Sequence, residues 1–328
     1  MITRRTLLRA CGIGLLIAPQ LGRGQAQSKT ARVGILWFIA MKDPMLLRLR
    51  SVLVQRLSAL GYVEGKNMVI EERSAEGHTE RLGELARELV ARQVNVIVAP
   101  TIAASTAARQ ATSSIPIVMV HAGDPIGVGL IASLSRPGGN VTGTTNLSLG
   151  GKHVALMREL VPGARKLAIL SNPANAGARL YITDAMEAGR IFDLDISEIA
   201  VTGVEDFPNA YAMIRKLRPD GLLVMGDPLI GGQRAQVIGF AASVHLPATF
   251  DNANTVRDGG LVAYGPLLSE HYVMAANYVD KILAGAKPAD LPVEQPARFE
   301  LIVNLKTAKA LGITIPQALL VRADEVIQ

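Results

Sequence analysis

The chain has 328 residues and a mass of 34.8 kDa, with 49% hydrophobic and 19% charged residues, a formal net charge of +6 and one cysteine. This length accommodates two ordinary domains, and the composition excludes a disordered or collagen-like chain. One cysteine can form no internal disulfide and can supply no cysteine-rich zinc site. A charge of +6 would suggest a nucleic-acid or membrane-surface partner only if the folded part carried it.

The first 26 residues have the order of a secretory signal peptide. A basic segment at 3–9 precedes a short apolar run at 10–18, and a small-x-Ala cleavage site follows at 24–26. Paired arginines before two leucines predict a twin-arginine export signal, with an ordinary Sec signal as the alternative.

Cleavage near Ala26 changes the charge and the cysteine content. It removes four arginines, no acidic residue and Cys11, so the formal charge falls to +2 and no cysteine remains. We therefore expect an exported, periplasmic protein with no nucleic-acid partner. We also expect a monomer.

Apolar strand-like runs alternate with helical periodicity from the start of the mature chain. The first half predicts strands at 32–38, 68–72, 94–99 and 115–120, and helices at 46–60, 79–92 and 103–112. A turn at 137–140 precedes a second series, with strands at 166–170, 196–201, 221–225, 247–250 and 260–264 and helices at 177–192, 207–217 and 233–244. The tail predicts a helix at 269–283, an extended run at 299–304 and a helix at 305–311. This alternation predicts two α/β lobes with parallel sheets, joined near 140–150.

Sequence signatures of catalysis and of cofactor binding are missing. The five histidines show no metal-ligand spacing, and neither a nucleophile elbow nor a P-loop occurs. A G-x-G-x-x-A pattern at 127–132 follows Asp124-Pro125 instead of a strand, and no acidic residue stands at the expected distance. We predict neither an enzyme, a metal site nor a cofactor.

Polar and aromatic residues gather at the predicted carboxyl ends of the strands, where α/β sheets bind ligands against helix N-termini. Each residue has a structural alternative: a helix cap for Thr101, a turn for each Asp-Pro pair, and core packing for the aromatic residues. Their joint placement predicts a ligand site formed by Trp37, Thr101, Asp124, Asn172, Asp227, Phe250 and Tyr264.

Several segments resemble the ABC-transporter substrate-binding protein family that includes tryptophan- and tyrosine-binding lipoproteins. They are Leu-Gly-Tyr-Val-Glu-Gly-Lys-Asn at 60–67, Ile-Pro-Ile-Val at 115–118 leading to Gly-Asp-Pro at 123–125, Arg-Pro-Gly-Gly-Asn-Val-Thr-Gly at 136–143, Asn-Pro-Ala-Asn at 172–175, Tyr-Gly-Pro at 264–266 and Phe-Glu-Leu-Ile-Val-Asn-Leu-Lys at 299–306. The resemblance spans about 31–325.

The resemblance implies a type I periplasmic binding protein fold: α/β, with two doubly wound parallel-sheet lobes joined by a three-crossover hinge. The implied N-terminal lobe comprises 30–145 plus about 268–298, and the C-terminal lobe comprises 146–267 plus about 304–328.

The implied function is that of the periplasmic solute-binding component of an ABC importer, which closes over a small amino-acid-like or carboxylate ligand. Its partners would be an inner-membrane permease and the associated ATPase. The alternative is a sensor that signals to a receptor or kinase.

The resemblance also implies residue roles. The ligand carboxylate would lie at the helix N-terminus after Thr101, and the ammonium group would contact Asp227. The family has Thr-Asp-Asn around that aspartate, whereas this chain has Gly226-Asp227-Pro228. A zwitterionic ligand therefore fits the pattern, but tryptophan or tyrosine does not follow from it.

Overall fold

The computed structural model describes residues 30–328, and the predicted signal peptide lies outside the described residues. The first part of the chain contains β1 (Ala31–Trp37), α1 (Pro44–Ala59), β2 (Met68–Ser74), α2 (Leu82–Ala91), β3 (Val96–Pro100), α3 (Ile102–Ala111), β4 (Ile117–Ala122) and β5 (Val141–Thr145). The five strands form one parallel sheet in the order β2-β1-β3-β4-β5.

Both faces of this sheet are covered by helices, which explains its continuous apolar strands. Successive residues of β3 alternate between two cores: Ile97 packs beside α2 and α3, whereas Val96 and Val98 pack on the opposite face beside α1. All five residues of β3 are buried as a result.

The second part continues with α4 (Gly150–Leu160), β6 (Lys166–Ser171), α5 (Gly177–Phe192), β7 (Asp195–Ala200), α6 (Phe207–Leu217), β8 (Gly221–Val224), α7 (Pro228–Gly232), α8 (Arg234–Ser243), β9 (Ala248–Phe250), α9 (Ala253–Arg257) and β10 (Val262–Pro266). The tail contains α10 (Leu268–Leu283), β11 (Phe299–Asn304), α11 (Leu305–Leu311), α12 (Gln317–Arg322) and β12 (Glu325–Ile327). The second sheet has the order β12-β11-β10-β9-β8-β6-β7, and its β10–β11 pairing is antiparallel.

The tail connects the two lobes. Helix α10 packs on α1 and on the first sheet, where Tyr272 stacks on Trp37 with ring centroids 6.0 Å apart. Strand β11 then pairs with β10 of the second sheet. The chain passes between the lobes at 146–149, at 267 and at 295–298, and the Leu267 amide donates to the Arg298 carbonyl over 3.2 Å. The two-lobed α/β fold with a three-crossover hinge is confirmed.

Strand β5 and helix α4 are not predicted by the sequence pattern, and both depend on glycines at close approaches. Gly143 in β5 has φ +129°, and a Cβ there would lie 2.1 Å from the Met119 carbonyl oxygen. A Cβ on Gly150, at the start of α4, would lie 2.1 Å from the Tyr181 carbonyl oxygen. These glycines weaken the local strand and helix signals while allowing the backbones to pack together. The short elements α7, α9, α12 and β12 are also absent from the prediction.

No helix within 30–328 combines the length and the apolar character that crossing a bilayer requires.

Candidate functional site

The two lobes touch across the cleft formed by the carboxyl ends of their strands. On one side, Arg234 Nη1 of the second lobe lies 3.7 Å from Asp43 Oδ2 of the first. On the other, Arg179 Nη2 lies 3.4 Å from Asp124 Oδ2. Beside the second pair, a Cβ on Gly123 would lie 3.1 Å from the Gly177 Cα. These contacts describe a closed cleft.

In the first lobe, the N-terminus of α3 follows β3 directly and presents free backbone donors. Thr101 Oγ1 accepts the Ala104 amide over 3.1 Å, and the Ser105 amide donates to the Thr101 carbonyl. The amides of Ile102 and Ala103 have no acceptor among the described residues. Free donors and the helix dipole at this end suit a carboxylate.

Thr101 has an unusual backbone that fits a binding role. Its φ of +125° is a region that non-glycine residues rarely occupy. The Thr101 amide donates to the Val120 carbonyl over 3.2 Å, and this bond to the neighbouring strand helps to hold the conformation. Such strain is found mainly at functional sites.

In the second lobe, Asp227 lies in the connection between β8 and α7 and is 8% exposed. Its Oδ1 caps α7 by accepting the amides of Leu229 and Ile230 over 2.8 and 3.1 Å. Its Oδ2 accepts the side-chain amides of Asn172 and Asn175 over 3.2 and 2.8 Å. Burial raises the pKa of Asp227, and these four hydrogen bonds oppose that shift.

Asp251 is a second acidic residue at the same rim, one strand away from Asp227. It follows β9 directly, and the next residue, Asn252, reaches Met45 of the first lobe, with its Nδ2 3.7 Å from Sδ. Burial raises the pKa of the Asp251 carboxyl to about 6, and the charge of Asp227 adds to that effect. Asp251 is absent from the predicted residues, although the position directly after a buried strand could have indicated it.

Asp124 and Tyr264 have partners that favour structural roles at the edges of the cleft. Asp124 Oδ1 accepts the Gly127 amide over 2.9 Å, and its Oδ2 faces Arg179 of the other lobe. Tyr264 stacks on Phe299, with ring centroids 5.7 Å apart, where β10 and β11 leave the hinge.

Trp37 and Phe250 are core residues in the structure. Trp37 is 1% exposed, and its Nε1 donates to Glu72 Oε1 over 2.9 Å. Phe250 is 3% exposed and packs in the second-lobe core, with its ring against Gly260. Each is the last residue of its strand, and its side chain packs inside its own lobe. Neither residue therefore belongs to the candidate site.

A buried hydrogen-bond chain that the sequence pattern does not reveal supports the second-lobe rim. His153 Nε2 donates to the Tyr264 carbonyl over 2.8 Å, because a carbonyl oxygen can only accept. Its Nδ1 therefore accepts the Tyr181 hydroxyl over 2.7 Å. Burial lowers the pKa of His153 to about 4, which keeps the ring neutral and this arrangement fixed.

A second unpredicted cluster lies beside the hinge. The rings of His121 and His271 meet edge to face at 5.1 Å, and His271 Nδ1 lies 2.9 Å from Thr144 Oγ1. Burial lowers the pKa of His121 to about 3 and that of His271 to about 4. His271 Nε2 and Asn146 Oδ1 are buried without a hydrogen-bond partner, so both can form a further hydrogen bond.

Within residues 30–328, no three histidine, cysteine, aspartate or glutamate side chains come together in a group able to hold a metal ion.

The chain is similar to a known protein family and to one of its named relatives. A profile of the family described as ABC transporter substrate binding protein matches residues 32–327. A tyrosine-binding protein of Clostridioides difficile (strain R20291) is 26% identical over 286 residues, which are 87% of this chain and 82% of that protein.

Two solved structures share the fold. The ABC domain in complex with L-Trp from Streptococcus pneumonia has a TM-score of 0.86 at 26% identity, covering 91% of this chain and 100% of that one. The ligand-free, open structure of a substrate binding protein with adhesive properties from Clostridium difficile has a TM-score of 0.66 at 23% identity, covering 91% and 99%. The family match extends over nearly all of the described chain, and the chain therefore belongs to the ABC transporter substrate binding protein family.

Proposed function

We propose that this protein is the periplasmic solute-binding component of an ABC importer, which closes over a small amino-acid-like ligand and delivers it to a membrane permease with its ATPase. The observation that carries the proposal is the closed cleft, with the N-terminus of α3 on one wall and a carboxylate-lined rim on the other. The two walls offer opposite polarity, which matches a zwitterion.

The relatives support the choice of ligand class. One similar protein is named for tyrosine, and another is in complex with L-Trp. The higher TM-score to the L-Trp complex than to the open, ligand-free structure agrees with the closed lobes of this chain. Because the closed state would be selected by ligand contacts made only there, affinity and closure would be linked.

Export rests on the amino-terminal pattern. We propose that residues 1–26 are removed by a signal peptidase and that the paired arginines direct the chain to twin-arginine export. Cell fractionation and N-terminal sequencing of the full chain test this, with a variant carrying Arg4→Lys and Arg5→Lys as the diagnostic for that route. Retention of the full-length chain in the cytoplasm would contradict periplasmic export.

Thermal unfolding with a ligand panel tests the binding function. The protein is unfolded to release any bound ligand, refolded, and screened with amino acids, small carboxylates and purines. A ligand at 100 times its dissociation constant stabilises the folded state by about 2.7 kcal/mol. An amino acid should raise the melting temperature and be recovered unchanged after incubation. The absence of stabilisation by any carboxylate would refute the role of α3.

A further inference from the structure

We propose that Asp251, rather than Asp227, accepts the ammonium group of the ligand, and that Asp227 is a positioning residue that builds the rim. This assignment rests on the proposed function, because it names the residue that recognises the amino group in the same cleft. It differs from the role that the family resemblance implies for Asp227.

The hydrogen bonds of Asp227 leave no room for a ligand donor. A carboxylate has about four lone-pair sites. Two are used by the backbone amides at the start of α7, and two by the side-chain amides of Asn172 and Asn175. Both asparagines are also fixed from the other side, because Asn172 Oδ1 accepts the Ala174 amide and Asn175 Oδ1 accepts the Gly177 amide, each over 3.0 Å. A ligand ammonium at Asp227 would have to break a completed network.

Asp251 has the opposite character. Among residues 30–328, no other residue donates a hydrogen bond to its carboxylate, whereas the Asp227 carboxylate accepts four. No lysine or arginine among residues 30–328 is paired with Asp251 or Asp227, so the buried Asp227 carboxylate and the half-buried Asp251 carboxylate lie near each other without a countercharge. A ligand cation would relieve both the burial cost and the mutual repulsion.

The backbone around Asp251 forms a shaped cradle. A Cβ on Gly226 would lie 1.8 Å from Asp251 Oδ2, and a Cβ on Gly265 would lie 1.6 Å from the Asp251 carbonyl oxygen. The absence of a side chain at Gly226, two residues after β8, makes room for the Asp251 carboxylate, and its absence at Gly265 in β10 makes room for the Asp251 backbone. The departure from the family at position 226 thus has a structural consequence, since an alanine or threonine there would displace the carboxylate.

The experiment compares three variants with a matched set of probes. The amino acid that most stabilises the wild-type protein in the panel is tested beside its deaminated acid, which keeps the carboxylate and side chain. The variants are Asp251→Asn, which keeps the shape and removes the charge, Gly226→Ala, which pushes the carboxylate aside, and Asp227→Asn, which replaces an acceptor with a donor facing Asn172 and Asn175. Calorimetric titration gives the affinities, and urea unfolding gives the stabilities.

We expect Asp251→Asn and Gly226→Ala to weaken binding of the amino acid by about 10- to 100-fold, the range for a lost charge-assisted hydrogen bond. Their binding of the deaminated acid should change less than about threefold. Asp227→Asn should lower the urea midpoint of the ligand-free protein, while Asp251→Asn should not. These results together support the assignment.

Equal affinity of wild-type and Asp251→Asn for the amino acid would overturn the assignment, as would a loss confined to Asp227→Asn with unchanged stability. If the deaminated acid binds wild-type protein as tightly as the amino acid does, the amine is not recognised and the assignment is also wrong. If no probe of any class binds, the proposed function fails with it. A failure of Asp251 alone, with tight amino-acid binding, leaves the proposed function intact.

Discussion

Closure of the lobes brings Gly123 and Gly177 together, and a methyl group at that contact should separate ligand affinity from stability. The Gly123→Ala Cβ would lie 3.1 Å from the Gly177 Cα and 3.4 Å from its nitrogen. Both neighbours are backbone atoms of the other lobe, so the methyl group cannot be relieved by a rotamer change. The closed state is therefore penalised, and the open state is not.

The cost follows from the size of the overlap. The lobes must separate by a few tenths of an ångström to restore an ordinary contact, and modest overpacking of this kind costs about 1–2 kcal/mol. At 1.4 kcal/mol per factor of ten, ligand affinity should fall by about 5- to 30-fold. The melting temperature of the ligand-free protein should stay within about 1 °C of wild type, because the contact joins separate lobes.

Gly177→Ala is the matched control. A Cβ there would lie 3.4 Å from Asn175 Oδ1 and 3.5 Å from the Gly123 Cα, which are ordinary contacts. Calorimetric titration with the amino acid selected by the panel should show a change of less than about twofold for this variant. If Gly123→Ala binds as tightly as Gly177→Ala, the bound state does not have this lobe contact, and the closed cleft described above is not the ligand-bound arrangement.

Three further predictions concern the lobes and their supports. Asp43→Asn keeps an amide oxygen for the α1 cap but removes the charge facing Arg234. Ligand affinity should therefore fall by about two- to fivefold, and the loss of affinity should be smaller at high salt. Calorimetric titrations at two ionic strengths measure both effects. Gly143→Ala forces a methyl group to within 2.1 Å of the Met119 carbonyl oxygen at φ +129°, and urea unfolding should show a loss of about 3–5 kcal/mol or no folded protein. The pKa of His153 is about 4 in the folded state against an ordinary 6.5. Between pH 4 and pH 6.5 the unfolded state therefore binds more protons than the folded state. As a result, the free energy of unfolding falls as the pH is lowered through this range. His153→Gln should reduce that slope by about 1.4 kcal/mol per pH unit in urea titrations, and an unchanged slope would exclude a buried neutral ring.

Long periodic elements follow closely from the sequence pattern. Helix α5 and strand β11 have the predicted bounds, because their apolar spacing and flanking turn residues agree. Strand β5 could not be predicted in the same way, since three of its five buried residues are threonines around Gly143 and their burial depends on the neighbouring strand. Local pattern reports the periodicity of a segment, whereas close approaches between backbones are decided by tertiary packing.

The sequence predicts which strand ends form the candidate site, but it does not predict the contacts that the site residues make. The sequence places Thr101, Asn172 and Asp227 after strands. In the structure, Asn172 donates a hydrogen bond to Asp227, and the two backbone amides after Thr101 have no acceptor among the described residues. Successive residues at the end of a strand face opposite sides, so an error of one position exchanges a core residue for a site residue. The sequence pattern indicates Phe250, but Phe250 is buried in the core and Asp251, the next residue, lies at the rim. Two of the four donors to Asp227 are the amides of Leu229 and Ile230 in the adjacent helix cap. The other two, Asn172 and Asn175, lie 55 and 52 residues away along the chain, so no spacing rule reveals them.

Small-angle X-ray scattering of the stripped, refolded protein tests the central claim, that this chain closes over a small amino-acid-like solute. With the stabilising amino acid added, the profile should match the closed two-lobed arrangement, and the radius of gyration should be smaller than without ligand. Identical profiles with and without a saturating ligand would contradict closure, and the protein would then bind without the conformational change on which the proposed delivery to a permease depends.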